Sequence, residues 1–178
     1  DSLQSLSEAG VSLVSLSGDK LLGSAQCGII LGKKELIASL RKNQLLRMLR
    51  VDKVIISILI QSLKAYANGE FELITTLKLI NRSEAELFDF AKRINENLKN
   101  PLEIARTTTF VGGGTMPNKR IPSVALAFSG DAEATEAKFR GANVVGRIEN
   151  DKFILDLRSV LNEDAQKLIK IINEIGEK

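Results

Sequence analysis

The run VIISILI at residues 54–60 constrains the fold of this chain more than any other stretch. It is apolar on nearly every side and rich in β-branched residues, which leaves a strand as one interpretation. Its continuation into QSLKAYAN favours a helix that Asp52 caps and that Asn68 and Gly69 end. A helix that is apolar all round should be buried, either in a large core or at a subunit interface. A chain of 178 residues offers little to cover it.

Positive charge is concentrated in the segment that leads into this helix. Residues 33–53 hold seven Lys or Arg against two acidic residues, a local charge of +5, whereas the whole chain carries only +3. A net charge this small does not by itself indicate nucleic-acid binding. The segment is either a solvated helix face or a site for an anion.

The residue types that the chain lacks exclude several kinds of site. With no histidine and only one cysteine, Cys27, a zinc site lacks its usual ligands, and Ser-His or Cys-His nucleophile pairs cannot form. We therefore expect no metal site, and any general base must be Lys, Asp, Glu or Tyr. The single cysteine is typical of a reducing compartment, and no apolar stretch reaches membrane-spanning length. We expect a cytoplasmic protein, truncated at its N-terminus because the sequence starts without Met.

The hydrophobic pattern changes near Gly69. Before it, strands are predicted at residues 11–16 and 26–31, the second buried on both faces. After it, the predicted helices are 71–81, 83–98, 131–140 and 162–175, and the predicted strands are 103–111, 124–129, 143–148 and 152–157. We expect an α/β chain in which residues 1–70 are the tail of a larger α/β domain and 71–178 form a small α+β domain.

Three local signals mark element ends in the second half. Ser83 with Glu86 fits a capping box at the start of one helix. The dipeptide Asn150-Asp151 predicts a tight turn between the last two strands. Asn162 is expected to cap the final helix.

A lysine lies in the connection between the first two strands. In SGDKLLGSAQCGIILGKK, residues 17–34, Lys20 has small and turn-forming neighbours, with apolar runs on both sides. A lysine held at a strand end is a candidate Schiff-base former, because desolvation frees the amine for nucleophilic attack. Spacing alone favours a solvated loop lysine over a reactive one.

This segment resembles the cofactor-lysine segment of the bacterial selenocysteine synthases, the L-seryl-tRNA(Sec) selenium transferases, which are fold type I pyridoxal-phosphate enzymes. The likeness continues in order through LRMLRVDK at 46–53, VGGGTMP at 111–117, IPS at 121–123, GRIE at 146–149 and LDLR at 155–158. Motifs that recur in order over nearly the whole chain are far more specific than any one of them. The family's N-terminal half, including its tRNA-binding domain, has no counterpart in this sequence.

The resemblance implies roles for several residues. Lys20 would bond covalently to pyridoxal 5′-phosphate and carry the proton at the substrate α-carbon, while Asp19 would assist that transfer or merely form the turn. Arg47 and Arg50 would bind a phosphate-like anion, which in this family is selenophosphate.

The glycine run Gly112, Gly113 and Gly114 is expected to border the active site, where its backbone N–H groups could face an anion. A flexible turn is the alternative. Arg147 and Arg158 lie on predicted strands, and we expect them to be structural.

The implied function is the conversion of seryl-tRNA(Sec) to selenocysteinyl-tRNA(Sec), by a homo-oligomer built from dimers with shared active sites. Fold type I enzymes take the ring-stacking residue, the Asp facing the pyridine nitrogen and most phosphate contacts from the large domain. We therefore expect activity in the full-length parent and an inactive isolated chain. Two alternatives stay open: an ammonia-lyase of the same fold acting on a phosphorylated amino sugar acid, and a non-catalytic folding or oligomerisation fragment.

Overall fold

The computed structural model describes residues 3–112 and 116–176, and the side chains among them except those of 116–118. The chain divides into two units, Asp1–Lys78 and Leu79–Lys178. The boundary falls inside the helix Thr75–Asn81. The assignment of residues 1–70 to a cofactor-binding large domain stays a prediction.

The first unit is a β-hairpin followed by helices. Its elements are α1 (Leu3–Glu8), β1 (Leu13–Ser17), β2 (Gly28–Gly32), α2 (Lys34–Lys42), α3 (Leu46–Leu49), α4 (Lys53–Asn68), a 3₁₀ turn at Phe71–Leu73 and the start of α5 (Thr75–Asn81). The two strands are antiparallel, with Leu13 opposite Gly32 at one end of the hairpin and Ser17 opposite Gly28 at the other.

Helix α4 begins and ends where the sequence predicts. The Asp52 carboxylate accepts hydrogen bonds from the backbone N–H groups of Val54 at 2.8 Å and Ile55 at 3.0 Å. The helix ends at Gly69, whose φ of +72° is the left-handed conformation that glycine adopts without strain. The helix interpretation of VIISILI is therefore confirmed.

The described residues of this unit do not supply the burial expected for α4, which was predicted in a larger core or at a subunit interface, and the burial predicted for β2 is wrong. In α4 only Ala65 is buried, and Val54 is 59% exposed. Strand β2, expected to be buried on both faces, is exposed over most of its length. The physical reason is that no second layer covers these faces in the part of the unit that the structure describes. The exposed apolar residues of α4 are Val54, Ile56, Ile58, Ile60 and Leu63.

The second unit is a four-stranded antiparallel sheet with helices on one face. Its strands are β3 (Glu103–Gly112), β4 (Met116–Phe128), β5 (Arg147–Glu149) and β6 (Lys152–Asp156), in the spatial order β3-β4-β6-β5. Its helices after α5 are α6 (Glu84–Asn95), α7 (Ala132–Gly141) and α8 (Ala165–Ile175), with 3₁₀ turns at Leu157–Ser159 and Asn162–Asp164.

The core of this unit lies between the sheet and the helices. Along β4, Val124 and Leu126 point into it, and the rings of Phe139 and Phe153 stack 5.1 Å apart between their centroids. The apolar face predicted for helix 83–98 is confirmed, since its residues in α6 are buried and so is Leu98, just after the helix ends: Leu87, Phe90, Ile94 and Leu98.

Of the three local signals predicted for this unit, the capping box and the tight turn are confirmed, and the cap at Asn162 is wrong. Ser83 and Glu86 form the capping box, and the turn residues Asn150 and Asp151 have φ values of +50° and +60°. Asn162 does not cap α8, which follows Asp164. Its side-chain oxygen instead accepts a hydrogen bond from Arg82 Nη2 at 3.3 Å.

Strand β4 begins at Met116, eight residues before the predicted start at 124. It pairs with β6 only from Ala125 to Phe128, so the earlier residues are paired with β3 alone. Pro122, opposite Thr108, lacks an N–H group, but no strand lies on its other side to need one. The proline is therefore compatible with a strand longer than the apolar pattern indicates.

Candidate functional site

Lys20 lies in a tight loop, residues 18–27, that joins β1 to β2. Three backbone hydrogen bonds close this loop: Gly18 N–H to Cys27 C=O at 2.9 Å, Gly23 N–H to Lys20 C=O at 2.9 Å and Ser24 N–H to Gly18 C=O at 2.8 Å. These bonds fix the backbone on both sides of the lysine. The predicted placement of Lys20 between two strands is confirmed.

Two glycines of the loop sit where no side chain fits. A Cβ at Gly18 would lie 2.5 Å from the Sγ atom of Cys27, and one at Gly23 would lie 2.5 Å from Cγ2 of Ile74. Gly23 also has a φ of +63°, which disfavours any residue with a Cβ. The glycines of SGDKLLG are thus explained by close packing around the lysine.

The loop is also hydrogen-bonded to α4. The hydroxyl of Tyr66 donates a hydrogen bond of 2.9 Å to the carbonyl of Leu21, the residue after Lys20. Sequence reasoning missed Tyr66, because 45 residues separate it from Leu21 and no spacing rule links them. Its only signal is that it is the single tyrosine of the chain, in a helix with no other aromatic residue.

The amine of Lys20 is accessible and loosely paired. Its side chain is 47% exposed, and Nζ lies 3.9 Å from Oδ1 of Asp19. The same carboxylate accepts a hydrogen bond from the Ser17 hydroxyl, which is the main cause that lowers the pKa of Asp19, with the charge of Lys20 a smaller one. Asp19 is therefore ionised at neutral pH, and the lysine amine is open to a ligand.

Arg47 and Arg50 lie on and just after α3, with exposed side chains. Neither guanidinium forms a hydrogen bond or ion pair with another residue of the described ranges. Residues three apart on a helical turn share a face, so the two groups can approach one anion. Two neighbouring guanidinium groups that have no protein partner can donate several N–H hydrogen bonds to one oxyanion.

The Lys20 loop and the two arginines lie near opposite ends of α4. The Lys20 loop is at the hairpin end where Ser17 pairs with Gly28, and the chain leaves for α2 and α3 from the opposite end. Tyr66, which contacts the loop, is in the last turn of α4, whereas the arginines precede its first turn. At 1.5 Å per residue, the 14 residues from Asp52 to Tyr66 span about 21 Å.

The glycine run is only partly described. Gly112 ends β3 with a φ of +136°, at an irregularity in its pairing with β4. Such a φ requires glycine. Gly113 and Gly114 lie outside the described residues, so the prediction that the run borders a site stays a prediction.

Arg158 is a structural residue, as predicted. It is only 6% exposed and donates hydrogen bonds to four backbone carbonyls, three of them at the end of α5. Burial lowers its pKa, and the charge of Asp156 opposes that shift. Arg147 is likewise bonded within the unit, to Asp156 at 2.8 Å and to Glu149 at 3.2 Å.

Two other features are absent from the part of the chain that the structure describes. No group of three or more Asp, Glu or Cys side chains is placed to hold a metal ion. None of the described helices is long and apolar enough to cross a membrane.

Known proteins resemble this chain closely in sequence. The family model of L-seryl-tRNA selenium transferase matches residues 2–161. An L-seryl-tRNA(Sec) selenium transferase of Campylobacter concisus (strain 13826) is 72% identical over 168 residues, and that of Campylobacter fetus subsp. fetus (strain 82-40) is 51% identical over 175. These matches cover 94% and 98% of this chain but 38% and 40% of the relatives. The chain thus spans about two fifths of the length of these relatives.

A solved structure shares the fold. The "Structure of D-Glucosaminate-6-phosphate Ammonia-lyase" matches with a TM-score of 0.63 over 96% of this chain and 45% of that one. Its sequence identity is 19%, so the likeness concerns the fold alone. It confirms the predicted α/β fold class.

Proposed function

Because the chain belongs to the L-seryl-tRNA selenium transferase family, we propose that it is part of an enzyme that makes selenocysteinyl-tRNA(Sec). Its substrates would be seryl-tRNA(Sec) and selenophosphate, and its cofactor pyridoxal 5′-phosphate. The observation that carries the proposal is Lys20, an accessible amine on a loop whose backbone is fixed from both sides.

Lys20 fits a covalent attachment site for this cofactor. Its amine has only the loose 3.9 Å contact with Asp19, so only this weak ion pair must break before the amine can react. When bound, pyridoxal phosphate supplies an electron sink that lets the α-proton of an amino acid leave. Lys20, as a mobile primary amine beside that carbon, would take and return this proton. Asp19, ionised next to it, would give the resulting ammonium group a counter-charge.

Arg47 and Arg50 would hold selenophosphate. Both guanidinium groups are exposed and without a partner among the described residues, so binding an anion displaces no ion pair. Each can offer two parallel N–H donors to phosphate oxygens, which lysines could not do with the same geometry. We also propose that the glycine run 112–114 borders a substrate site, because glycines allow a close backbone approach.

The arginines that act with one Lys20 would come from a second copy of the chain. The Lys20 loop and the arginines lie near opposite ends of α4, whose stretch from Asp52 to Tyr66 is about 21 Å long, so we propose that the two groups do not meet within one chain. A homo-oligomer built from dimers with shared active sites would bring them together. The exposed apolar face of α4 would then have a surface to cover it.

Mixed oligomers test this arrangement. Full-length Lys20→Ala and Arg47→Ala/Arg50→Ala proteins should each be inactive alone. Co-expressed, they should regain about a quarter of the wild-type activity, since half of randomly paired dimers are mixed and each has one intact site. No regained activity in verified mixed dimers would show that one chain supplies both groups.

The activity itself is tested with the full-length protein, meaning a chain of its relatives' length that contains this sequence. We expect formation of selenocysteinyl-tRNA(Sec) from seryl-tRNA(Sec) and selenophosphate, and a loss of at least about 10²-fold in Lys20→Ala. Lys33→Ala, a matched change at the far end of the hairpin, should keep its activity. Ammonia release from an amino sugar acid phosphate, without selenium transfer, would favour the lyase alternative instead.

The isolated chain of 178 residues is proposed to be inactive. Its first unit exposes large apolar residues on α3, α4 and β2, which is typical of surfaces that are covered in a complete enzyme. Assaying the isolated chain beside the full-length protein tests this, and equal specific activity of the two would contradict it.

A further inference from the structure

We propose that Tyr66 is a positioning residue for Lys20, an inference that rests on the function proposed for Lys20. Tyr66 lies in the last turn of α4, and its hydroxyl donates a 2.9 Å hydrogen bond to the Leu21 carbonyl. That carbonyl belongs to the peptide that directly follows the Lys20–Leu21 peptide. The bond therefore ties the loop to a helix one residue away from the reactive lysine.

The hydrogen bond from Tyr66 differs from the other hydrogen bonds of the loop. The bonds of Gly18, Gly23 and Ser24 run between loop backbone atoms or to Cys27, so they fix the shape of the loop but attach it to no helix. The Tyr66 hydroxyl adds an attachment to α4. On the neighbouring side, Gly23 packs against Ile74, which is 5% exposed.

Tyr66 is itself well placed to hold a fixed position. Its ring meets that of Phe71 edge-on, with centroids 6.0 Å apart and planes at 72°. Burial raises the pKa of Tyr66, so the phenol keeps the proton that a carbonyl acceptor requires. A change to phenylalanine removes this donor and leaves the ring contact in place.

The hydrogen bond between Tyr66 and Leu21 matters for the reaction because it lies next to Lys20. Without it, the Leu21 peptide can rotate, and Lys20 shifts with it. A displacement of about 1 Å in a reacting group can lower a rate 10²-fold. Tyr66 thus sets where the amine is presented by acting through the backbone of the loop.

The first test measures amide hydrogen exchange of Gly23 and Ser24 in this chain, in wild type and Tyr66→Phe. Losing one hydrogen bond should speed their exchange about fivefold, the equivalent of about 1 kcal/mol. The matched control is Ser57→Ala, which removes another α4 hydroxyl bonded at 2.9 Å to a backbone carbonyl, that of Lys53. The control should leave both rates unchanged, and unchanged rates in Tyr66→Phe would overturn the proposal.

The second test follows Lys20 itself in the full-length protein. Pyridoxal phosphate is titrated, the adduct is reduced with borohydride, and the labelled fraction of Lys20 is read by peptide mapping. Half-labelling should need about fivefold more cofactor in Tyr66→Phe than in wild type or Ser57→Ala. Faster amide exchange with unchanged labelling would make Tyr66 merely structural. No Lys20 label in wild type would instead refute the function proposed for Lys20, while the exchange rates would still show whether Tyr66 holds the loop.

Discussion

Replacing Gly23 with alanine should disrupt the Lys20 loop through two separable effects. The left-handed φ of +63° costs a residue with a Cβ about 1–2 kcal/mol. The new methyl would also lie 2.5 Å from Cγ2 of Ile74, and forcing an extra methyl into packed surroundings costs about 1–3 kcal/mol. Alanine also restricts the unfolded chain, which raises the free energy of unfolding by about 0.4–1 kcal/mol. We expect the free energy of unfolding to fall by about 2–4 kcal/mol.

Gly69→Ala is the matched control. Its φ of +72° is almost the same, but a Cβ there meets nothing within 4 Å. This variant should lose only the backbone part, about 1 kcal/mol after the unfolded-state gain. The difference between the two variants therefore measures the contact between Gly23 and Ile74.

Urea denaturation followed by tyrosine fluorescence suits the comparison. Tyr66 is the single tyrosine and the chain has no tryptophan, so the signal reports on the first unit and on the loop's own contact. Gly23→Ala and Gly69→Ala losses that agree within about 0.5 kcal/mol would refute the packing argument.

Further perturbations test the second unit. Arg158→Ala should lower its free energy of unfolding by about 3–5 kcal/mol in urea denaturation followed by circular dichroism, because buried carbonyls lose their charged donor. Arg106→Ala breaks an exposed ion pair with Glu84 and should cost at most about 1 kcal/mol; equal losses in the two would contradict the burial argument. Hydrogen bonds from Ser83 are the main cause that lowers the pKa of Glu86 below its ordinary 4.5. A lowered folded-state pKa contributes stability that is fully present above the ordinary value of 4.5 and is lost as pH falls from there through the folded-state pKa. Glu86→Gln should therefore flatten the loss of stability on acidification below pH 4.5, and an unchanged slope would rule out this contribution.

Local signals in the sequence predicted element ends well. The two helix caps and the turn, at Asp52, Ser83 and Asn150, involve only backbone groups within three residues. The local sequence therefore determines whether they form. Burial of residues 54–60 could not be predicted in the same way, because it depends on what packs on α4 rather than on α4 itself. The early start of β4 was missed since Pro122 weakens a strand pattern unless its free edge is known.

In the candidate site, too, the sequence predicts local features but not contacts between residues distant in the chain. The position of Lys20 in an inter-strand loop follows from the alternation of short apolar runs and small residues around it. The bond from Tyr66 to Leu21 joins residues 45 apart, and only the fold brings them together. Likewise, the separation of Lys20 from Arg47 and Arg50 depends on the direction of α4, which the motifs do not contain.

Covalent binding of the cofactor at Lys20 is the proposed property on which the other proposed roles depend. Full-length protein is incubated with pyridoxal phosphate, reduced with borohydride, digested and mapped by mass spectrometry. The label is expected on Lys20, with none at that position in Lys20→Ala. Label on other lysines alone, with Lys20 unmodified, would contradict the account and leave SGDKLLG as an ordinary tight turn.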